Sequence, residues 1–501
     1  MAEYRPFEAQ GDFIDGSFVL PGRAAGEIRL EDPADLDAQL GAFPFAPDAV
    51  NTAVAAARRA WPGWRDSPVE ERSALLRRFA ESLEAERDLL ASVIAREVGK
   101  PLWEARTEVA AMVAKVGITL ASGLERVREQ HSELGPGQAG RWTNRPRGVL
   151  GVLGPFNFPG HLSHGHVVPA LATGNTVVLK PSEHTPAVGQ LYADLAARSG
   201  FPPGVFNLVQ GDGASGAALA AHSDLDGVLF TGSYAVGRRI LEATLDQPWK
   251  LVALEMGGKN GVLVASDADL EAAARAIAFG IAVTSGQRCS ATSRVFVERA
   301  VSSALVARLR RILGGIKIGH PLIDGVFMGP VISAASRQRH AQLLEWAAQE
   351  GAERLLDGGP CEGPRRGHYV QPSLHRVTTL QPESRYQTEE HFVPDAFLHE
   401  VESLEAGIAA LHATDYGLAA SVFTRQRESY ERVAREARVG LLNWNTSTVG
   451  ASSRLPFGGL GKSGNDRPAG VTSADYCTYP VASLEYETPG EPGRWPGFPE
   501  P

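Results

Sequence analysis

Cys289 has the strongest chemical context of the cysteines in this 501-residue chain. It lies in the stretch SGQRCSA directly after Arg288, and a turn at Ser285-Gly286 separates it from the helical run 267–283. A thiol becomes a nucleophile when a base, a cation or a helix N-terminus favours its thiolate. Because the stretch contains no histidine, it fits two interpretations: a buried structural thiol, or a nucleophile whose base lies elsewhere in the chain.

Glu255 is a candidate for that base. It ends the apolar run LVALE and is followed by Gly257 and Gly258. A single carboxylate at a strand end usually makes hydrogen bonds or faces solvent, so Glu255 gains a chemical role only if a reactive group lies close to it. Cys361 and Cys477 have no activating neighbours in the sequence, and we interpret them as packing or surface residues.

A glycine-rich turn, TGSYAVG, follows the strand-like GVLF and precedes a helical stretch. Small residues at such a turn let backbone N–H groups approach a phosphate. Gly232 and Gly237 lack the spacing of a GxGxxG fingerprint, so the turn alone fits a phosphate site and an ordinary turn about equally well. A second stretch, GGLGKSG, has Pro456 where a P-loop needs its first glycine, which argues against ATP chemistry.

His161, His164 and His166 raise the question of a metal site. No carboxylate or cysteine accompanies them at the spacing that metal ligands require, and a glycine separates two of them. We therefore interpret GHLSHGH as a turn with satisfied or exposed histidines, and we expect no bound metal.

The elements that position these groups change along the chain. Residues 1–46 are rich in Pro and Gly and are predicted to form short strands, and apolar residues three and four apart predict several helices from about 47 to 130. From about Arg147, short apolar runs ending in Gly, Pro, Ser or Asn alternate with helical stretches. This pattern is typical of a doubly wound parallel sheet that binds ligands at the carboxyl ends of its strands. A second α/β pattern begins past residue 262.

Composition and charge limit the function classes. The chain is 43% hydrophobic and 21% charged, which is typical of a folded globular protein. Its net charge of −9 argues against binding to nucleic acid or anionic membranes, although backbone N–H groups can still bind an anionic cofactor. Three widely spaced cysteines favour a reducing cytoplasm. The N-terminus has no secretory pattern and no run approaches 18 apolar residues, so we expect no membrane span.

A set of ordered motifs resembles the aldehyde dehydrogenase superfamily. LEMGGKN and GQRCS, whose Glu255 and Cys289 are 34 residues apart, resemble its glutamate and cysteine signatures. The other matching blocks, between about residues 150 and 465, are GPFNFPG, GNTVVLKPSEHTP, PPGVFNLVQG, FTGSYAVG, EEHF and LPFGGLGKSG. The resemblance implies an α/β fold with two doubly wound parallel-sheet domains and a small β-flap. The implied segments are a NAD-binding domain (1–129 and 148–257), a catalytic domain (258–473), an oligomerisation flap (130–147 and 474–490) and a C-terminal tail (491–501).

The resemblance also implies roles for individual residues. Cys289 attacks the aldehyde carbonyl to give a thiohemiacetal, the Asn157 side-chain amide and the Cys289 backbone N–H hold the oxyanion, and Glu255 activates the water that hydrolyses the thioester. Lys180 and Glu183 hold the adenosine ribose, and a carboxylate there favours NAD over NADP because it repels a 2′-phosphate. The implied cofactor residues are Pro155, Phe156, Lys180, Pro181, Ser182, Glu183, Gly213, Phe230, Gly232, Ser233, Gly237, Met256, Gly257, Glu390 and Phe392.

A narrower resemblance concerns the branch of the superfamily that oxidises N-succinylglutamate 5-semialdehyde in arginine breakdown. The C-terminal SADYCTYPVASLE carries much of it, because that stretch is not a general superfamily block. The branch's substrate bears carboxylates, so Arg454 and Arg467 are candidates to bind them, with solvated surface arginines as an equal alternative. Phe457 is a further candidate for substrate contact. The motif EEHFVP departs from the usual pattern by having Val393 in place of a glycine beside the nicotinamide ribose.

We therefore expect a soluble, cytoplasmic, NAD-dependent enzyme that oxidises a semialdehyde to its acid and assembles as a dimer or tetramer. One alternative is a dehydrogenase for another aldehyde, such as the open form of pyrroline-5-carboxylate. Another is a catalytically silent protein of the same fold, and the joint presence of Cys289, Glu255 and Asn157 argues against it.

Overall fold

The computed structural model describes residues 6–135, 137–486, 488 and 495–499. The N-terminal strands are β1 (Asp12–Ile14), β2 (Ser17–Val19), β3 (Gly26–Glu31) and β4 (Gln39–Phe45). The helices α1 (Ala49–Asp66), α2 (Val69–Ala85), α3 (Arg87–Val98) and α4 (Leu102–Ile118) follow. A π-helical turn at Thr119–Gly123 joins α4 to the short α5 (Leu124–Arg126), before β5 (Gln130–Gly135) and β6 (Gln138–Pro146). The predicted early strands and helices are thereby confirmed.

The first sheet takes most of its strands from the next part of the chain. Its elements are β7 (Val149–Leu153), α6 (His161–Ala172), β8 (Thr176–Lys180), α7 (Pro186–Arg198), β9 (Phe206–Leu208), α8 (Gly213–Ala221), β10 (Gly227–Thr231), α9 (Tyr234–Ala243) and β11 (Leu251–Glu255). The seven strands lie in the order β11-β10-β7-β8-β9-β1-β2, parallel from β11 to β9. The order reverses between β7 and β10, and such a switch point is where open α/β sheets bind ligands.

Helices cover both faces of this sheet because its strands are apolar on both sides. Every residue of β7 and β10 is buried. Alternate side chains of β7 enter two different cores, one shared with α2, α3, α4, α6 and α7, the other with α1, α8 and α9. This is the doubly wound arrangement that the sequence predicts.

The second sheet is built from the C-terminal half. Its part of the chain contains β12 (Asn260–Val264), α10 (Leu270–Ala282), β13 (Thr292–Glu298), α11 (Arg299–Gly314), α12 (Ala334–Gln349), β14 (Glu353–Leu356), β15 (Gly359–Pro360), β16 (Val370–Gln371), β17 (Ser373–Arg376), α13 (Arg385–Thr388), β18 (Asp395–Val401), α14 (Leu404–Leu411), β19 (Tyr416–Gly417), β20 (Ala419–Phe423), α15 (Arg427–Glu436) and β21 (Leu441–Trp444). The strand order is β14-β17-β18-β13-β12-β20-β21, and only the β14–β17 pair is antiparallel. Two parallel-sheet units therefore confirm the predicted fold class.

A small three-stranded sheet stands apart from these cores. The chain ends with β22 (Pro456–Phe457), β23 (Leu460–Gly461), β24 (Ala469–Gly470), α16 (Ser473–Tyr476) and β25 (Thr478–Tyr486). The antiparallel order β25-β6-β5 leaves most of this sheet exposed. Residues 136, 487 and 489–490 of the predicted flap lie outside the described residues. Of the predicted tail, the structure describes residues 495–499.

By length and composition alone, the helical run Leu102–Arg126 is able to cross a membrane, which the sequence prediction did not anticipate. In the fold, α4 packs against α2, α3 and α6. It also buries three charged side chains, Glu104, Glu108 and Lys115. One face of α4 is therefore packed in the fold and carries buried charges.

Candidate active site

A cavity of about 820 Å³ lies at the carboxyl edge of the first sheet. Asn157, Glu255 and Cys289 all line it. Asn157 follows β7, Glu255 ends β11, and Cys289 precedes β13 of the second sheet. The fold thus brings together three residues that are far apart in the sequence.

A strained turn presents Cys289. Thr284, Ser285 and Gly286 have φ values of 53°, 55° and 73°, and two of these left-handed residues carry side chains. The buried Glu104 of α4 holds the turn: it accepts hydrogen bonds from the Thr284 amide at 3.2 Å, the Thr284 hydroxyl, and Arg288 Nη2 at 2.8 Å. The nucleophile candidate is therefore fixed by a carboxylate from the other part of the molecule.

Asn260 holds the chain on the other side of Cys289. Its Nδ2 donates to the carbonyls of Cys289 and Ala291, both at 2.8 Å, and its Oδ1 accepts from the Ala419 amide at 3.0 Å. This role was not identified from the sequence, although Asn260 ends LEMGGKN. The available signal was an amide at the start of a buried apolar strand, where each polar group needs a partner.

The surroundings of Cys289 favour its neutral thiol. Burial, and then the charges of Glu390 and Glu255, raise the pKa of this thiol to about 12, against smaller opposing effects of the Ser290 backbone and Arg288. At neutral pH the group is therefore a thiol, and its attack on an electrophile needs a proton acceptor in the cavity.

Glu255 has the properties of such an acceptor. Burial raises its pKa well above the ordinary value, while the Ala469 amide, which donates to Oε1 at 3.2 Å, opposes the rise. Its Oε2 is buried and has no hydrogen-bond partner among the residues that the structure describes. A carboxylate with a raised pKa and a free oxygen takes up a proton more readily than an ordinary carboxylate does.

Asn157 is fixed as a donor. It is 4% exposed, and its Nδ2 donates to the Gln287 carbonyl at 2.9 Å. Gln287 is itself anchored, because its Oε1 accepts from the Ile332 amide at 2.9 Å. The Asn157 amide carries a second N–H, which is available for an oxyanion.

The residues that line the cavity fall into two groups, because α8 and α9 cover one face of the first sheet and α4 and α6 cover the other. We call these groups the α8/α9 limb and the α4/α6 limb. The α8/α9 limb is lined by Lys180, Ser182, Glu183, Gly213, Gly216, Phe230, Gly232, Ser233 and Val236. The α4/α6 limb is lined by Lys115, Phe158, His161, Leu162, Gly165, Val449, Ala451, Ser452, Ser453 and Phe457.

Glycines shape the α8/α9 limb. A Cβ on Gly213 would meet no atom within 4 Å, so a side chain there would project into free space. A Cβ on Gly232 would lie 2.4 Å from the Phe230 ring, and one on Gly257 would lie 1.9 Å from the Glu390 carboxylate. Gly232 and Gly257 are therefore needed for close packing, whereas Gly213 leaves space beside the chain.

Most predicted cofactor residues line the cavity, and their roles remain predictions. They are Pro155, Phe156, Lys180, Ser182, Glu183, Gly213, Phe230, Gly232, Ser233, Met256, Gly257, Glu390 and Phe392. Pro181 and Gly237 are outside this lining: Pro181 packs against Gly189, and Gly237 packs against Met256 and Phe230. Lys180 Nζ lies 3.4 Å from Glu183 Oε2, and Ser233 caps α9 by accepting from the Val236 amide at 3.4 Å.

The predicted histidine turn is wrong, because GHLSHGH forms the start of helix α6. Burial against α4 and the sheet overrides the low helix propensity of its glycine and histidines. Glu108 Oε1 accepts from the Gly160 and His161 amides at 2.9 and 3.0 Å and thereby satisfies the helix N-terminus. His164 and His166 are buried, and the Nδ1 atom of each lies 2.8 Å from a tyrosine hydroxyl, while His164 Nε2 has no partner among the described residues. No group of three metal-ligating side chains occurs in the part of the chain that the structure describes.

One of the three predicted substrate residues lines the cavity and the other two do not. Phe457 lines the α4/α6 limb. Arg454 and Arg467 are exposed and outside the cavity lining, so their contact with substrate remains a prediction. Lys115 and Gly165 lie on two different helices of this limb, and neither was identified as a site residue from the sequence.

Comparison with known proteins identifies relatives over nearly the whole chain. Residues 22–481 match the model of the aldehyde dehydrogenase family. The N-succinylglutamate 5-semialdehyde dehydrogenase of Hahella chejuensis is 40% identical over 96% of this chain and 97% of that protein. N-succinylglutamate 5-semialdehyde dehydrogenase 1 of Caulobacter vibrioides is 42% identical over 88% of this chain and 92% of that protein.

Solved structures agree with this match. The NAD-dependent aldehyde dehydrogenase from Sinorhizobium meliloti has a TM-score of 0.92 and 32% identity, covering 97% of this chain and 96% of that one. Lactaldehyde dehydrogenase from Escherichia coli has a TM-score of 0.89 and 30% identity, covering 95% and 99%. A chain from S. meliloti 1021, solved in complex with NAD, has a TM-score of 0.91 and 26% identity, covering 97% and 99%.

Proposed function

This chain belongs to the aldehyde dehydrogenase family, and we propose that it oxidises N-succinylglutamate 5-semialdehyde to N-succinylglutamate with NAD. The observation that carries the chemistry is that Cys289, Glu255 and Asn157 line one cavity. The proposed substrate is inferred from relatives that are named for it and are about 40% identical to this chain over most of their length.

In the proposed first step, Cys289 Sγ bonds to the aldehyde carbon, and the carbonyl electron pair moves to oxygen. The Asn157 amide and the Cys289 backbone N–H then stabilise the oxyanion. The thiol proton passes to Glu255. Because burial raises the pKa of both groups, this transfer is less unfavourable than transfer to an ordinary carboxylate.

The α8/α9 limb fits a dinucleotide. The free space beside Gly213, the Lys180–Glu183 pair and the N-terminus of α9 at Ser233 provide room, ribose partners and backbone donors for a pyrophosphate. Glu183 favours the free 2′-hydroxyl of NAD over a 2′-phosphate. A nicotinamide bound there would accept the hydride that leaves the thiohemiacetal carbon and so produces a thioester on Cys289.

After the first step Glu255 releases the thiol proton to solvent, and the carboxylate acts again in the last step. It takes a proton from water, the water oxygen bonds to the thioester carbon, and the Cys289 sulfur leaves and regains a proton. The free Glu255 Oε2 is the atom that receives the proton. The acid product then dissociates.

The α4/α6 limb fits a long substrate. A Cβ on Gly165 would meet no atom within 4 Å, so α6 leaves room beside the cavity. A branched, succinylated aldehyde needs this space more than a short aliphatic one does.

We also propose that residues 130–147 and 474–490 join subunits into a dimer or tetramer. Both outer strands of the small sheet, β5 and β25, have a free edge within the described chain. Leu134, Trp142, Leu484 and Tyr486 are exposed on this sheet.

A protein whose cysteines are all free also suits the proposed cytoplasmic location.

Steady-state kinetics test the substrate. With NAD, kcat/KM for N-succinylglutamate 5-semialdehyde should exceed that for glutamate 5-semialdehyde and pentanal by about 100-fold. NADP should support slower turnover than NAD at equal concentration. Equal kcat/KM values for the three aldehydes would contradict the proposed substrate while leaving the family unaffected.

A further inference from the structure

Lys115 is a buried cation in the wall of the α4/α6 limb. It is 2% exposed, and its Nζ donates to the Gly470 carbonyl at 2.6 Å and to Ser473 Oγ at 3.3 Å. Both partners are neutral. Among the described residues, no carboxylate lies within 4.0 Å of Nζ, and the third N–H of the ammonium remains for another partner.

Three other cations around the cavity have carboxylate partners. Lys100 pairs with Glu108 at 2.7 Å, and Lys180 pairs with Glu183 at 3.4 Å. Arg288 pairs with Glu104 at 2.8 Å. Of the two buried cations among the described residues that line the cavity, Lys115 and Lys180, Lys115 lacks such a partner, and a buried charge is strongly unfavourable unless an opposite charge or several hydrogen bonds compensate it.

The titration of Lys115 agrees with this unpaired state. Burial lowers the pKa of Lys115 to about 8, so that the ammonium still predominates at neutral pH but holds its proton less firmly than an exposed lysine does. A carboxylate that reaches the ammonium would raise this pKa and gain a charge-assisted hydrogen bond.

His161 lines the same wall and adds a neutral polar group. Burial, and then the charges of Lys115 and Lys100, lower its pKa to about 4, so the ring is neutral at physiological pH. Its Nδ1 is buried without a hydrogen-bond partner among the described residues. The acidic residues that line the cavity are Glu183, Glu255 and Glu390, and none of them is paired with Lys115.

We infer that Lys115, assisted by His161, forms a subsite for a carboxylate of the substrate and sets a preference for aldehydes that carry an anionic group. The inference rests on the proposed function, since it assigns to the α4/α6 limb the aldehyde that reacts at Cys289. The substrate class of this subsite is aldehydes with a remote carboxylate.

A matched pair of aldehydes tests the subsite independently of the succinyl group. Pentanal and 5-oxopentanoate have the same chain length and differ by the terminal carboxylate. The wild-type enzyme should prefer 5-oxopentanoate in kcat/KM, and Lys115→Met should reduce that preference by about 50-fold, mainly through KM, while pentanal changes by less than about threefold. An equal loss for both aldehydes would mean a structural role and would overturn the inference, as would an unchanged preference.

Lys250→Met is the matched control. Lys250 is also buried, and its Nζ donates to the Ala220 and His222 carbonyls at 3.3 and 2.7 Å at the end of α8. It does not line the cavity. Its replacement should leave the ratio between the two aldehydes unchanged, since its charge stabilises a helix end. A control variant that lost the preference equally would overturn the assignment to Lys115.

Two further measurements separate the possible failures. If Lys115→Met does not fold, Lys115→Gln replaces it, and inhibition of pentanal oxidation by N-succinylglutamate is compared with wild type. The acid should compete with pentanal in wild type and bind at least about tenfold more weakly to the variant. Equal inhibition overturns the subsite.

If N-succinylglutamate 5-semialdehyde is a poor substrate but the 5-oxopentanoate preference depends on Lys115, the subsite holds and the proposed substrate fails.

Discussion

The two limbs of the cavity are built from different parts of the polypeptide. The α8/α9 limb relies on strand ends, helix N-termini and close-packed glycines such as Gly232 and Gly257. The α4/α6 limb relies on side chains, with Lys115 and His161 projecting from two helices. Backbone recognition requires particular residues at fixed turns, whereas side-chain recognition requires only that two helices pack together. The first limb therefore leaves sequence motifs, and the second does not.

The largest expected effect lies where the limbs meet. Cys289→Ala should lower NADH formation by about 10⁴-fold or more, because the covalent route is lost, while the dissociation constant for NAD changes by less than about threefold. Stopped-flow absorbance and calorimetric titration measure the two quantities. Cys361→Ala is the control, since Cys361 lies outside the cavity lining. Substantial NADH formation by Cys289→Ala would exclude the thiol as nucleophile.

A paired glycine experiment tests whether the limbs act independently. Gly165→Leu fills the α4/α6 limb, and it should lower kcat/KM for N-succinylglutamate 5-semialdehyde by about 100-fold and for propanal by less than about fivefold. KM for NAD should not change. Such selectivity follows from the free space that the structure shows beside Gly165.

Gly213→Leu is the matched variant in the other limb, because a Cβ there also meets no atom within 4 Å. It should raise KM for NAD by about tenfold and leave the ratio between the two aldehydes unchanged. If both variants altered the cofactor and the aldehyde alike, the division of the cavity into two limbs would be wrong.

A smaller effect concerns the charge that Glu390 places near the nucleophile. Burial raises the pKa of Glu390 to about 7, against the Gly258 amide that donates to it at 3.0 Å. Its negative charge raises the pKa of Cys289. Glu390→Gln removes that charge, so the thiol pKa should fall and alkylation by iodoacetamide at about pH 8 should become about three- to tenfold faster.

The acceleration should disappear below about pH 6, where Glu390 of the wild type is itself protonated. Glu389→Gln, at an exposed neighbouring position, is the control and should leave the alkylation rate unchanged. A slower reaction in Glu390→Gln would show that the Glu390 carboxylate favours the Cys289 thiolate, which is opposite to the effect expected here.

The α8/α9 limb could be predicted from the sequence, whereas most of the α4/α6 limb could not. The apolar strands β7, β8 and β10 and the motif residues at their ends were predictable, because buried parallel strands and tight turns restrict residue type. The helix at His161 was not, since its N-terminus is satisfied by Glu108, about 50 residues earlier in the chain. Lys115 and Glu104 likewise look like ordinary helix residues until packing buries them.

The role of Glu255 in releasing the acid is the central claim, and mass spectrometry of quenched reactions tests it most directly. Glu255→Gln should slow both proton transfers, and it should slow hydrolysis of the thioester more than attack on the aldehyde. At about pH 9, with NAD and aldehyde, acylated Cys289 should therefore accumulate to nearly one per chain, while steady-state turnover falls by about 100-fold. Cys289 found free of acyl group, together with turnover equal to wild type, would contradict Glu255 as the hydrolytic base.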